Sequence, residues 1–364
     1  MKAEPRVYWL TNLPAPYRIP IFREISAVYF LHVDFLLSRT NWRNWIVPND
    51  VNFSFSHLNL SYRKISDFEF IPGFRIRRKE LFASQIVVIG SWESPQYLWT
   101  AFVAKVMKKK LILINESTLQ SRRYKNKIVQ FIRSSFFKAG DLVLSFGPDS
   151  SLALVNMGIS RTRILELFNP IPKISYIISP TKKENNFHSY VFVGQLIHRK
   201  NVEGLIRAFA VMRDTEDTLT IIGEGENKLF LIDLVDKLDL NSHVVFVGQL
   251  EPSEMNSYYA KFDTLVLPSF REVWGLVVNE ALANGLHVIV SDKCGSAEFV
   301  RNMKGVYITD CSVDSLVEQM KKSSRDYEGK IDNPEIWKYD TSAFSKILVD
   351  TFDEITKIST RKDA

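Results

Sequence analysis

Tyr190-Val-Phe-Val-Gly-Gln-Leu-Ile-His-Arg-Lys-Asn-Val-Glu-Gly-Leu-Ile-Arg-Ala-Phe209 contains a complete strand, turn and helix. Tyr190–Val193 is a short β-rich apolar run, and Gly194 lets the chain turn away from it. Val202, Leu205, Ile206 and Phe209 then fall at i, i+3, i+4 and i+7, one apolar face of a helix. Asn201 stands at the N-cap position and Glu203 in the first turn, where the helix dipole favours an acid. Arg199 and Lys200 sit together just before that helix start. Two cations backed by a dipole can hold a diphosphate without a metal, although an exposed Arg-Lys pair as often serves only solubility. His198 beside them reads as incidental.

The same alternation runs outward in both directions. Towards the N-terminus, strands are expected at Arg6–Asn12, Leu31–Leu37, Ile86–Ile89, Leu111–Ile114, Leu142–Ser145 and Ile164–Leu167. Helices fit between them at Arg18–Val28, Pro95–Met107, Ser121–Phe137 and Asp149–Met157. Towards the C-terminus, strands are expected at Leu219–Ile222, Val244–Val247, Leu265–Leu267 and Val288–Val290. The tail closes with a periodic helix carrying Phe344, Ile347, Leu348, Phe352 and Ile355. Short apolar runs alternating with amphipathic segments predict βαβ units on parallel sheets.

The pattern breaks at Asn169-Pro-Ile-Pro172 and the polar stretch Thr181–Ser189, and the domain boundary is placed near Ile174. The expectation is an α/β protein of two Rossmann-like, doubly wound domains, residues 1–174 and 175–340. A C-terminal helix over 341–364 is expected to pack back toward the first. In open parallel sheets ligands bind beyond the carboxyl ends of the strands, so a cleft between two facing sheets is the default site.

At 364 residues, 46% hydrophobic and 24% charged, the chain fits a globular protein of two domains and excludes disordered and fibrous classes. Cys294 and Cys311 show no pairing pattern, and the six histidines have no metal-ligand spacing. No Asp-x-Asp pair occurs, nor a P-loop or GxSxG. The opening Met-Lys-Ala-Glu-Pro-Arg lacks the apolar core of a signal peptide, and the apolar stretch Ala27–Leu37 is too short to span a bilayer. A cytoplasmic protein is expected, either soluble or lying on a membrane, but not crossing one.

Charge is unevenly spread. Residues 1–180 carry 25 Lys and Arg against 12 Asp and Glu, whereas 181–364 carry 22 against 29. The basic residues cluster at Arg75–Lys79, Lys108–Lys110 and Arg122–Lys127, with Trp42, Trp45 and several phenylalanines near the first. Basic and aromatic residues on one half fit adsorption to an anionic membrane surface. Solvated helix faces are the plainer alternative. No motif for nucleic acid is present.

The second chemical stretch is Pro268-Ser-Phe-Arg-Glu-Val-Trp-Gly-Leu-Val-Val-Asn-Glu280. A strand ends at Leu267, a loop carries Glu272, and a helix starts near Gly275. Val277, Val278, Ala281 and Leu282 form its apolar stripe, with Glu280 off that stripe. Two carboxylates beside a helix start suit ribose and sugar hydroxyls, although a capped surface helix has the same spacing. Gly223-Glu-Gly225 after a strand lacks the third glycine of a dinucleotide fingerprint.

Together these pieces resemble the retaining glycosyltransferases of family 4, which have the GT-B fold. The resemblance is continuous over Tyr190–Val300. It rests on Phe192-Val-Gly-Gln-Leu196 with Lys200, Ile222-Gly-Glu-Gly225, Val245-Phe-Val-Gly248, Leu267-Pro-Ser269, the Glu272/Glu280 pair and Cys294-Gly-Ser-Ala-Glu298. It implies that Lys200 binds the donor diphosphate beside Gly194 and Gly223, and that Glu280 hydrogen-bonds the ribose. Glu272 would lie at the transferred sugar, with Lys200 and Glu272 as the catalytic pair. The backbone of Val273, Trp274, Gly275 and Leu276 would contact sugar or phosphate, and Gly248, Gln249 and Leu250 would lie by the base.

Family members usually carry Arg where this chain has Gln195, so Arg199 or Arg18 would replace the missing cation. Asn12-Leu-Pro-Ala-Pro-Tyr-Arg18, Gly90-Ser-Trp92 and Asn115-Glu-Ser-Thr118 resemble a subgroup that builds bacterial surface polysaccharides. There Pro16, Tyr17, Arg18, Trp92 and Glu116 would lie on the acceptor side. The implied activity is metal-independent transfer of a hexose-type sugar from a UDP- or GDP-sugar to a saccharide or polyprenyl-diphosphate-linked saccharide. It needs no cofactor. A nucleotide-sugar 2-epimerase and a non-catalytic nucleotide binder are the competing readings; the carboxylate pair and the basic N-terminal half favour transfer.

Overall fold

The computed structural model describes residues 5–39, 45–65, 68–75, 79–118, 126–171, 187–212, 216–251 and 254–362. They divide into two compact units, Met1–Pro172 with Asp340–Ala364, and Lys173–Tyr339. The boundary expected near Ile174 lies outside the described residues.

The first unit opens with β1 (Arg6–Thr11), α1 (Ile19–Ser26), β2 (Phe30–Phe35) and β3 (Ser54–His57). A two-stranded antiparallel ribbon follows, β4 (Arg63–Ile65) and β5 (Phe68–Phe70), then α2 (Lys79–Ala83). Next come β6 (Ile86–Ile89), α3 (Pro95–Val106), β7 (Lys110–Asn115), α4 (Lys127–Ala139), β8 (Leu142–Phe146), α5 (Pro148–Val155) and β9 (Ile164–Leu167). The seven-stranded sheet has the order β3-β2-β1-β6-β7-β8-β9. Every neighbouring pair is parallel.

The central strands Ile86-Val-Val-Ile89 and Leu111-Ile-Leu-Ile114 are buried throughout, as a parallel sheet covered on both faces requires. Ser94 caps α3 by accepting from the Gln96 N–H, with Pro95 in the first turn. Asn126 caps α4 through the N–H groups of Ile128 and Val129. The part of the expected helix over 119–125 lies outside the described residues.

The second unit runs β10 (Ser189–Val193), α6 (Val202–Met212), β11 (Thr218–Ile222), α7 (Lys228–Lys237), β12 (Val244–Gly248), α8 (Met255–Tyr259) and β13 (Thr264–Leu267). It continues through α9 (Leu276–Ala283), β14 (His287–Ser291), α10 (Ala297–Val300), β15 (Val306–Thr309) and α11 (Val313–Asp326). Its six-stranded sheet has the order β12-β11-β10-β13-β14-β15, again parallel at every pairing. The long α12 (Thr341–Lys362) then rejoins the first unit. Phe344 meets the rings of Phe146 and Phe168, and Phe352 meets Tyr29 edge-on.

Both sheets are doubly wound, and chain order reverses between β1 and β6 and between β10 and β13. Four of the described strands escaped the periodicity reading: the β4–β5 ribbon, whose strands have three residues each, and the edge strands β3 and β15. β3 (Ser-Phe-Ser-His) is an edge strand with one flank to satisfy, and polar residues are tolerated there. β15 is an edge strand of the second sheet and only four residues long. No helix among the described residues is long and apolar enough to cross a membrane.

Candidate functional site

In the second unit the two stretches singled out in the sequence are the loops that follow β10 and β13, the strands on either side of the order reversal. That adjacency brings Lys200 and Glu272 together. The Lys200 ammonium is hydrogen-bonded to Glu272 Oε2, and Arg199 Nη1 donates to the same oxygen at 3.0 Å. Arg199 also donates to the Arg271 carbonyl at 3.2 Å, and its own carbonyl accepts from the Phe270 N–H. Lys200 is 8% exposed. Burial pushes the Glu272 carboxyl up, but the Lys200 and Arg199 charges override it and hold the net value below the ordinary carboxylate range.

Asn201 adopts a left-handed backbone (φ 54°) and donates from Nδ2 to the Cys311 carbonyl at 3.1 Å, fixing where the cations leave the turn. Gln195 is exposed, Gly248 and Leu250 are half-buried, and Gln249 is exposed. Gly223 donates to the Gly248 carbonyl at 2.8 Å, and a Cβ on Gly223 would strike the Gly194 carbonyl. These glycines therefore let the β10, β11 and β12 loops stack backbone to backbone.

The Glu272 loop is clamped to the loop after β14. Gly295 N donates to Glu272 O at 3.1 Å, Ser296 N to Trp274 O at 3.1 Å, and Cys294 Sγ to Trp274 O at 2.8 Å. Gly275 begins α9 at φ 85°, and a Cβ there would lie 2.8 Å from Cys294 Sγ and from the Leu267 side chain. This glycine is required by internal packing. Trp274 is buried, with Nε1 donating to Asn279 Oδ1 at 3.1 Å, so only its backbone faces the loop. Val273 is exposed and Leu276 half-buried. The first N–H groups of α9 have no acceptor within the helix.

Glu280 lies on the same helix. Tyr259 Oη donates to its Oε2 at 2.9 Å, and the Glu280 carbonyl accepts from Asn284. Burial raises the Glu280 carboxyl, and the Tyr259 bond offsets only part of that rise. Sequence reasoning did not find Tyr259. It sits 21 positions away on a five-residue helix, and nothing in the spacing announces the contact.

In the first unit the loops after β1 and β7 also converge. The Arg18 guanidinium pairs with Glu116 and donates from Nη1 to Thr11 Oγ1 at 2.8 Å, with its Cζ 5.6 Å from the Tyr17 ring. Burial opposes the Arg18 charge, but Tyr17, Glu116 and Tyr97 more than restore it. Pro16 is exposed at the turn. Trp92 is different: it belongs to the apolar core, with the Arg133 guanidinium 5.7 Å from its ring. A cavity of about 20 Å³ borders Tyr17, Arg18, Trp9 and Phe344, room for about one water.

Residues 177–338 match the family described as "Glycosyl transferases group 1". An uncharacterized glycosyltransferase of Methanocaldococcus jannaschii is 33% identical over 128 residues, 35% of this chain and 33% of that protein. An uncharacterized 41.2 kDa protein in the cps region of Klebsiella pneumoniae is 23% identical over 210 residues, covering 56% and 57%. The O-antigen chain mannosyltransferase of Salmonella typhimurium is 28% identical over 151 residues, covering 42% and 41%. The chain thus spans between a third and somewhat over a half of these relatives.

Two solved structures align along nearly all of the chain. The lipopolysaccharide outer core galactosyltransferase WaaB superposes with a TM-score of 0.71 at 14% identity, covering 96% of this chain and 99% of that one. Anabaena HepE in complex with UDP and glucose gives 0.70 at 13% identity, with the same coverage. At such identities the likeness establishes the fold. The match to the glycosyl transferases group 1 family thus falls on the second unit, and the two parallel-sheet units have the GT-B fold of these glycosyltransferase structures.

Proposed function

We propose that this chain is a retaining glycosyltransferase moving a hexose-type sugar from a UDP- or GDP-sugar to a saccharide or lipid-linked saccharide of a bacterial surface polysaccharide. The observation that carries this reading is the joint grip of Lys200 and Arg199 on Glu272 at the order reversal of the second sheet. A diphosphate competes with that carboxylate for two cations already placed and largely desolvated. Cations fixed in advance stabilise a departing nucleoside diphosphate more in the transition state than in the ground state. Arg199 takes the part of the arginine missing at Gln195.

Glu280 accepts from the ribose hydroxyls, held in place by Tyr259. Glu272 stands beside the transferred sugar, and the acceptor attacks from the face the nucleotide leaves. The departing phosphate takes the acceptor's proton. Tyr17, Arg18 and Glu116 meet the acceptor, a role that their convergence beyond β1 and β7 supports. No metal enters this scheme; the sequence contains no Asp-x-Asp pair to carry one. Relatives named for O-antigen and cps-region roles, and a fold neighbour named for lipopolysaccharide core synthesis, support the acceptor class. With a lipid-linked acceptor, the chain works peripherally at the inner face of the cytoplasmic membrane.

The test is thermal-shift titration with UDP, GDP and their sugar conjugates, with and without EDTA, followed by turnover with the stabilising donor. Selective stabilisation unaffected by EDTA is expected. Stabilisation that vanishes with EDTA would remove the metal-free scheme. Saturable binding without turnover of any donor would leave a binder.

A further inference from the structure

α3 and α4 pack side by side in the first unit, and each turns an apolar stripe away from the core. On α3 the inward residues are Tyr97, Ala101 and Ala104, whereas Trp99, Phe102 and Val106, spaced i, i+3 and i+7, are 37%, 59% and 65% exposed. On α4 the inward residues include Phe136 and Phe137, whereas Ile128, Phe131 and Ile132, spaced i, i+3 and i+4, are 69%, 72% and 41% exposed. Phe74, 54% exposed, extends the α3 stripe: its ring centroid is 6.3 Å from Trp99, which is 5.8 Å from Phe102.

Single exposed apolar residues need no explanation, but stripes of large ones on two adjacent helices mark an interaction surface. The charge around this one selects the partner. From Pro95 to Ala139 the sequence has ten Lys and Arg and a single acid, Glu116, which is engaged by Arg18. Exposed Lys108 and Lys127 lie at the ends of the two helices, exposed Arg75 follows Phe74, and Lys105 is paired with Asp141 at 3.2 Å. Aromatic and aliphatic side chains rimmed by cations are complementary to the boundary between headgroups and acyl chains of an anionic bilayer.

We propose that the outward face of α3 and α4, with Phe74, is the surface by which this chain docks onto an anionic lipid bilayer. It gives the peripheral placement in the functional reading above a defined face, and rests on that reading only for which acceptor it serves. Trp99, Phe102, Ile128 and Phe131 enter the headgroup boundary while Lys108 and Lys127 meet the phosphates.

The experiment is sedimentation of the full chain with vesicles of phosphatidylethanolamine alone and with roughly a third phosphatidylglycerol, at low and high salt. Wild type is expected to bind the anionic vesicles and to be released by salt. Phe102→Ser/Phe131→Ser lowers the partition coefficient about tenfold or more, since both side chains are mostly exposed and their loss leaves the core intact. Lys108→Gln/Lys127→Gln lowers binding to anionic vesicles about thirtyfold and leaves the neutral ones unchanged.

Equal binding by all three proteins, or no vesicle binding by wild type, overturns the proposal. Self-association of wild type that the Phe102/Phe131 variant abolishes, without vesicle binding, assigns the face to a second copy instead. Thermal stabilisation by UDP or GDP is read in parallel. Its absence in every protein, with vesicle binding intact, counts against the donor reading and leaves the docking face standing.

Discussion

The Lys200 ammonium and the Glu272 carboxylate, 72 positions apart in the chain, share a hydrogen-bonded ion pair, and Arg199 joins them on the same oxygen. Strand order explains the meeting. β10 and β13 are neighbours in the sheet, so the loops leaving them are neighbours too. A mostly buried carboxylate with two cations resists protonation, and the cations are held where an anion can displace the carboxylate.

Replacing Lys200 by Ala removes one cation and leaves Glu272 paired with Arg199. The expected outcome is a fall in kcat for sugar transfer of about 100-fold or more, with the melting temperature changed little. Steady-state kinetics with the cognate donor and a melting curve check both parts. Full activity in this variant would remove Lys200 from the reaction.

Tyr259→Phe keeps the ring and deletes the hydroxyl that orients Glu280. Donor affinity should weaken about fivefold, the loss of about 1 kcal/mol of hydrogen bonding. Burial raises the Glu280 carboxyl and the Tyr259 bond partly offsets it, so losing the bond raises it further. An ionised carboxylate is the stronger acceptor, so affinity falls as pH drops through that raised value, and in the variant the fall begins at higher pH. Donor binding measured across pH for both proteins decides it; superimposable profiles would make Tyr259 merely a packing residue.

Gly275→Ala puts a Cβ against Cys294 Sγ and Leu267 at 2.8 Å, on a backbone at φ 85°. A loss of about 2 kcal/mol or more is expected in urea unfolding. Adding Cys294→Ala relieves one contact and should recover part of it. No recovery would place the cost in the backbone and the Leu267 contact.

Burial pushes His287 down to about 4, against the opposing pull of its Ser323 hydrogen bond and of Asp326 and Asp263. Its ring meets Tyr327 edge-on at 5.0 Å. Because the folded value lies below the unfolded one near 6.5, the unfolded chain binds more protons in between. Stability is therefore lost as pH falls from about 6.5 to 4, by about 3 kcal/mol. His287→Gln should flatten that part of the profile in chemical unfolding at graded pH. An unchanged slope would assign the acid sensitivity elsewhere.

Periodicity made the central strands and the capped helices legible. Val202, Leu205, Ile206 and Phe209 repeat every helical turn and are all buried in α6, and the β7 run is apolar because both its faces are covered. Edge strand β3 did not show, because a strand with one paired flank is free to carry Ser and His. β15, Val-Tyr-Ile-Thr, also escaped, although its composition favours a strand. Glu272 and Lys200 were legible as candidates because each stands beside a helix start, and Glu280 because it falls off the apolar stripe of α9.

By itself, then, the sequence determined the two alternating α/β units and which residues border the carboxyl ends of their strands, since local spacing and turn chemistry carry that information. Tertiary structure alone decided what those residues touch: Arg199 and Lys200 on Glu272, Tyr259 on Glu280, Arg18 on Glu116. It also put Trp92 in the core, assigned Gly275 to packing against Cys294, and left the α3 and α4 stripes facing outward. The reason is the order reversal in each sheet. Strand pairing makes neighbours of loops far apart in the chain, and no local pattern encodes which loops those will be.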